Sequence, residues 1–152
     1  MRIFRLAKKK YADDLSGIGA ELTGGRWNNK GTRIIYTSDS RALCTAEIAV
    51  HMPVGLIPKD YYLITLDMPD KILLKQVDSK LLPKNWMDFP YSNITQDIGE
   101  EFISKGDFLI LKVPSAVVQG DYNYLINPNH KEFGKVRLIN KEKFNFDERL
   151  FK

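Results

Sequence analysis

The sequence predicts an α+β domain built on a mixed or antiparallel sheet with flanking helices. Three observations carry that prediction. β-Branched and aromatic runs outnumber helical patterns. They do not alternate with helices in a βαβ rhythm. The 152 residues suffice for one sizeable core and are too few for two comfortable ones. No repeat, low-complexity tract or linker divides the chain, so a single domain over residues 1–152 is expected.

Met1 to Leu6 reads as a short opening strand, and residues 16–25 as a small, turn-rich stretch. TRIIYT, residues 32–37, has the content of a strand. Ser38, Asp39 and Ser40 offer N-caps for a helix reaching about Met52, where Pro53 stops it. YYLITLD, residues 61–67, is a strand ended by Met68-Pro69. Residues 78–90 are proline-rich and read as loop. Ile94, Ile98 and Phe102 recur every four residues and predict a short amphipathic helix. FLILKVPSAVV, residues 108–118, is a buried strand that Pro114 must break at an edge, an end or a bulge. Val136–Ile139 and Phe144–Phe146 suggest a closing hairpin.

Composition narrows the function classes. At 43% hydrophobic and 11% aromatic residues, the chain has an ordinary globular makeup rather than a disordered one. One cysteine, Cys44, rules out an internal disulfide framework, and with two histidines, His51 and His130, it makes a Cys/His zinc site a poor expectation. No segment approaches the ~20 apolar residues of a membrane span. The opening MRIFRLAKKKYADD lacks the apolar core of a signal peptide, so a cytoplasmic protein is expected. The net charge is +4, and five of the first ten residues are basic. That surplus suits an anionic partner or simply a solvated basic face, and charge alone does not choose between them.

Several familiar motifs fail. GIGAELTGG, residues 17–25, lacks the three-glycine frame and the βαβ setting of a dinucleotide fingerprint. NKGT, residues 29–32, has the wrong order for a phosphate loop. No Gly-x-Ser-x-Gly elbow supports a serine hydrolase. No helix-turn-helix or aromatic RNA platform accompanies the positive charge.

Three residues sit in odd places. Arg26 follows Gly24 and Gly25, whose backbone freedom permits a tight turn and close ligand approach. It is either a bidentate clamp for phosphate or carboxylate, or a salt bridge pinning the loop with Trp27 plugging the core. Glu47 falls beside Leu43 and Val50, at the edge of an apolar stripe formed by Ala42, Leu43, Ala46, Ala49 and Val50. It is either a boundary glutamate or a carboxylate facing a cleft, with Thr45, Ala46 and Ala49 leaving room. Ser115 follows Pro114; taken alone, it reads as a bulge residue bonded to nearby backbone.

As a whole the chain resembles the RES domain family, named for its Arg, Glu and Ser. The resemblance rests on GGRWN (24–28), IIYTS (34–38), ALCTAEIAVH (42–51), LPKNW (82–86), VPSAVV (113–118), NYLINPNHKEF (123–133) and FNFDERL (144–150), in this order and spacing. It implies an ADP-ribosyltransferase-like fold and a toxin of a type II toxin–antitoxin pair that depletes NAD⁺, as a phosphorylase or glycohydrolase. It also implies a hetero-oligomer with a cognate helical, DNA-binding antitoxin that occludes the active site. The family's Arg, Glu and Ser fall on Arg26, Glu47 and Ser115, and its strand-end tyrosine on Tyr36.

On that resemblance NAD⁺ is a substrate rather than a resident cofactor, inorganic phosphate is a potential co-substrate, and no metal is called for. Glu47 stabilises the cationic ribose centre, Arg26 grips phosphate, Tyr36 stacks on nicotinamide, and Ser115 orients ribose or nicotinamide. An additional basic group for phosphate is sought at Lys30 or Arg33. The alternatives are an ADP-ribosyltransferase acting on a cellular protein and, beyond it, a basic nucleic-acid-binding module; with no such motif, direct nucleic-acid binding is not expected.

Overall fold

The computed structural model describes all 152 residues. Its strands are β1 (Arg2–Lys8), β2 (Ile35–Ser38), β3 (Tyr61–Asp67), β4 (Leu74–Gln76), β5 (Ile110–Pro114), β6 (Tyr122–Ile126) and β7 (Arg137–Phe144). They join in one sheet of order β4-β5-β6-β2-β1-β3-β7. Every pairing is antiparallel except β4 with β5. The α+β class and mixed sheet are therefore as expected. The helices are α1 (Ile18–Thr23), α2 (Arg41–Ala49) and α3 (Asn93–Lys105). No helix is long and apolar enough to cross a membrane.

Two apolar clusters occupy opposite faces of the sheet. Ile35, Ile110 and Ile126 belong to one, while Ile34, Leu111 and Leu125 belong to the other. Alternate side chains of a strand point to opposite faces. The central strands thus bury both faces and read as continuous apolar runs. The second cluster is closed by Trp27, Trp86 and Phe102, so the arginine loop and α3 share one core.

The caps follow local chemistry. Ser40 Oγ accepts from Leu43 N at 3.0 Å to start α2, and Ser92 Oγ accepts from Ile94 N at 3.1 Å to start α3. Gly106, in the left-handed region at φ 64°, ends α3.

Four expectations change. The turn-rich stretch contains α1, six residues held between Gly17 and Gly24; helices that short depend on tertiary contacts, which composition does not reveal. α3 buries Phe102 and packs Ile98 against the core as its stripe predicts, but leaves Ile94 exposed and buries Thr95 and Gly99 instead. Likewise α2 buries Leu43 and Cys44, and ends before Val50, which is exposed. The closing hairpin is instead the single strand β7 along β3. Its polar centre, Asn140 to Lys143, reads as a turn because the strand is exposed almost throughout. Beyond the expected strands, β4 is too short and polar to announce itself, and β6 carries Asn123 amid aromatic residues.

Candidate active site

The segment from Gly24 to Thr32 is held rigidly from three sides. Asn28, fully buried, organises it: its Nδ2 donates to the carbonyls of Ala20 (2.9 Å), Asn29 (3.1 Å) and Thr32 (3.1 Å). Its Oδ1 accepts from the Tyr36 hydroxyl at 2.6 Å, and that hydroxyl accepts from Trp27 N at 3.1 Å. From α3, Gln96 Nε2 donates to Gly25 O at 3.0 Å. Gly25 is glycine for a steric reason: an added Cβ would lie 2.7 Å from the Tyr36 oxygen. Burial pushes the Tyr36 phenol well above its usual range, so it stays a neutral donor.

Arg26 leaves this loop with no carboxylate partner. Its Nη1 donates to Trp86 O at 2.7 Å and Asp88 O at 3.1 Å, and its guanidinium lies 5.0 Å from the Tyr91 ring centre. The loop-pinning salt bridge is therefore corrected. Arg26 instead ties the loop to a strap of residues 86–91 through backbone carbonyls and a cation–π contact. Nε and Nη2 form no hydrogen bond within the protein. Trp27 is buried and packs on Trp86, ring centres 6.1 Å apart, as a core plug should. Burial lowers the guanidinium's affinity for its proton, opposed first by Tyr91 and then by Glu47; the group remains charged.

Glu47 is fixed on one oxygen. Oε1 accepts from Ser115 Oγ at 2.8 Å and from Asn123 Nδ2 at 2.7 Å, while Oε2 has no partner in the protein. Ser115 is only 4% exposed. Its hydroxyl also accepts from Val117 N at 3.1 Å and Val118 N at 3.0 Å, so its bonding capacity is full. Ser115 acts on Glu47 and is not among the residues lining the cleft. Asn123 is oriented in turn by Ser38, whose Oγ donates to Asn123 Oδ1 at 2.7 Å. Register pairing of Ser38 with Asn123 between β2 and β6 makes that bond possible.

Arg26, Tyr36, Glu47 and Asn123 all line one cleft of about 1210 Å³, together with Met87, Phe89 and Tyr91 from the strap. The structure thus brings all four sequence-selected residues to one place, three on the wall and Ser115 behind it. Lys30 and Arg33 are elsewhere: neither lines the cleft, and Arg33 Nε pairs with Glu21 at 2.8 Å. The search for an extra basic group at those positions is therefore corrected. Asn28, Gln96, Gly99 and Asn123 were missed as individuals. Asn28 and Asn123 lie inside the quoted GGRWN and NYLINP segments, whereas nothing local marks Gln96 or Gly99.

Fold and site together define a class: one α+β domain whose mixed sheet carries a cleft walled by an arginine-tied aromatic strap and a carboxylate anchored on one oxygen. The chain belongs to the RES domain family, whose model matches residues 2–147. It is 35% identical, over 99% of its length and 95% of the relative's, to the "Prs ADP-ribosylating toxin" of Sphingobium sp. strain YBL2. It is 34% identical to the "Toxin Res" of Photorhabdus laumondii, covering 100% of this chain and 98% of that one. The same fold occurs in the crystal structure of the M. tuberculosis MbcT–MbcA toxin–antitoxin complex, with a TM-score of 0.73 at 21% identity, covering 99% of this chain and 86% of that one.

Proposed function

We propose that this protein is the toxin of a toxin–antitoxin pair, and that it breaks the nicotinamide–ribose bond of NAD⁺. The observation that carries the reading is Glu47, with Oε1 locked by two neutral donors and Oε2 left without a protein partner on the cleft wall. Cleavage of that bond develops positive charge at the ribose carbon, as in glycoside cleavage. A carboxylate held in place beforehand stabilises such charge without reorganising during the reaction. The electron pair of the broken bond returns to the pyridinium nitrogen, so neutral nicotinamide departs without a general acid. The Tyr36 ring supplies an aromatic wall, and Arg26 has Nε and Nη2 for an oxyanion. An antitoxin that is helical, binds DNA and covers the cleft would restrain the activity in the cytoplasm.

The acceptor distinguishes two readings. Phosphate or water gives free ADP-ribosyl products; a protein side chain gives a modified target. The Sphingobium relative, an ADP-ribosylating toxin by name, favours the second. Incubating the purified chain with NAD⁺, with and without phosphate and with and without a cell lysate as the source of acceptor proteins, and separating the products decides between them. Nicotinamide release without protein labelling supports NAD⁺ depletion, labelling of a protein supports transfer, and untouched NAD⁺ refutes both.

Two substitutions probe the wall and the support behind it. Arg26→Lys keeps the charge but cannot reproduce both carbonyl bonds and the stack on Tyr91. It should lower turnover about ten- to a hundredfold, the equivalent of losing about 1.5–3 kcal/mol of charged hydrogen bonding. Steady-state kinetics checks this, and wild-type rates would remove the strap from the mechanism. Ser115→Ala strips one donor from Glu47 and orphans two backbone N–H groups. It should destabilise by about 1–3 kcal/mol in a denaturant titration while keeping more activity than any variant lacking the Glu47 charge.

A further inference from the structure

An oxyanion entering the cleft meets an arginine whose fork is partly spent, since Nη1 is committed to Trp86 and Asp88 and the guanidinium lies against Tyr91. The other Lys and Arg residues on the cleft wall are Arg5, Lys8 and Lys10. Arg5 is partly spent as well. Its Nη1 donates to Tyr11 O at 3.3 Å and Asp14 O at 3.0 Å, which ties down the turn that carries Lys10. Lys8 and Lys10 remain. Both are exposed, and neither forms an ion pair with a carboxylate. Lys8 ends β1 opposite Tyr61, itself on the cleft wall, and Lys10 Nζ lies 5.0 Å from the Tyr11 ring centre. The intervening Lys9 does not line the cleft. The cleft volume of about 1210 Å³ exceeds the roughly 300–1,000 Å³ of ordinary small-molecule sites, which leaves room beyond one reacting ribose.

We infer that Lys8 and Lys10 form an oxyanion-binding lobe of this cleft, which takes a phosphoryl group. The group belongs either to the dinucleotide itself or to inorganic phosphate acting as acceptor. The inference rests on the NAD⁺ reading for its substrate. In the acceptor case, an oxygen lone pair of hydrogen phosphate forms the new bond to the ribose carbon. The carbon–nitrogen bond breaks and its electrons return to the nicotinamide ring, with no redox partner required.

The test compares the wild type with K8Q/K10Q and with K9Q/K131Q, which removes the same charge from exposed positions outside the cleft. NAD⁺ consumption is followed across a range of phosphate concentrations. K8Q/K10Q is expected to raise a KM about tenfold or more at unchanged kcat, the equivalent of about 1.4 kcal/mol, while the control stays near wild type. A raised KM for NAD⁺ in phosphate-free buffer assigns the lobe to the dinucleotide. A raised KM for phosphate, with phosphate-free turnover intact, assigns it to the acceptor. Wild-type constants in K8Q/K10Q, or an equal effect in the control, overturn the lobe. Calorimetric titration with inorganic pyrophosphate tests it without turnover: binding by wild type that K8Q/K10Q loses upholds the lobe, and absence of binding by wild type overturns it. A wild type that binds pyrophosphate but leaves NAD⁺ intact therefore strikes the NAD⁺ reading and spares the lobe.

Discussion

Gly99→Ala is expected to cost the protein at least about 3 kcal/mol, the upper end of the range for forcing atoms into a filled core. Gly99 lies in the middle of α3, where glycine is unfavourable by about 1 kcal/mol relative to alanine. Propensity therefore argues that the substitution should help. Contact argues the reverse and prevails. An added Cβ would stand 1.5 Å from the carbonyl oxygen of Trp27 and 2.7 Å from its carbonyl carbon. Those are backbone atoms of the loop that also presents Arg26, so no side-chain rotation relieves the clash. α3 must withdraw, and with it Gln96, whose amide holds Gly25. A thermal melt followed by circular dichroism should show a fall of about 6 °C or more for a chain of this size. A melting temperature equal to wild type would mean that α3 does not seat on the loop as described.

Glu47→Gln should leave the fold intact and remove the chemistry. Its amide oxygen can still accept from Ser115 and Asn123, so both bonds of the anchored oxygen persist in the variant. What vanishes is the negative charge that the proposed reaction requires beside the ribose. Removing one preorganised electrostatic partner typically costs about a hundred- to a thousandfold in kcat, and a loss of that order in NAD⁺ turnover is expected. KM should change far less, because the interaction matters most as charge develops. Retained turnover in a folded Glu47→Gln protein would exclude the carboxylate as the charge-stabilising group.

The strands with strong β content were legible because their signal is local. YYLITLD became β3 with the expected bounds, TRIIYT overlaps β2, and FLILKVPSAVV contains β5, which ends at Pro114. Caps were legible for the same reason, since Ser40 bonds to a backbone group only three residues away. The faces of α2 and α3 were legible only in part, since Leu43 and Phe102 are buried as their stripes predict while Val50 and Ile94 are exposed. Periodicity selects the most apolar stripe, yet α3 turns Gly99 inward so that its backbone can press against Trp27. Close approach rewards the absence of a side chain, which no hydrophobicity pattern records. β7 was hidden similarly, because an exposed edge strand gains its stability from the ladder to β3 rather than from its own side chains.

For the site, the resemblance carried by GGRWN, the glutamate helix and VPSAVV selected Arg26, Tyr36, Glu47 and Ser115 from the sequence by itself. Residue types and order suffice for that, because the chain's matches run almost end to end. What each side chain touches was decided only by the tertiary structure. Arg26 spends one nitrogen on the carbonyls of a strap sixty residues away, Ser115 faces Glu47 instead of the cleft, and Lys8 and Lys10 stand where Lys30 and Arg33 do not. A hydrogen bond forms only within about 3 Å, and bonds such as that between Ser115 and Glu47 join residues far apart in the chain. Their partners are chosen by strand order and register, which become visible only once the sheet is assembled.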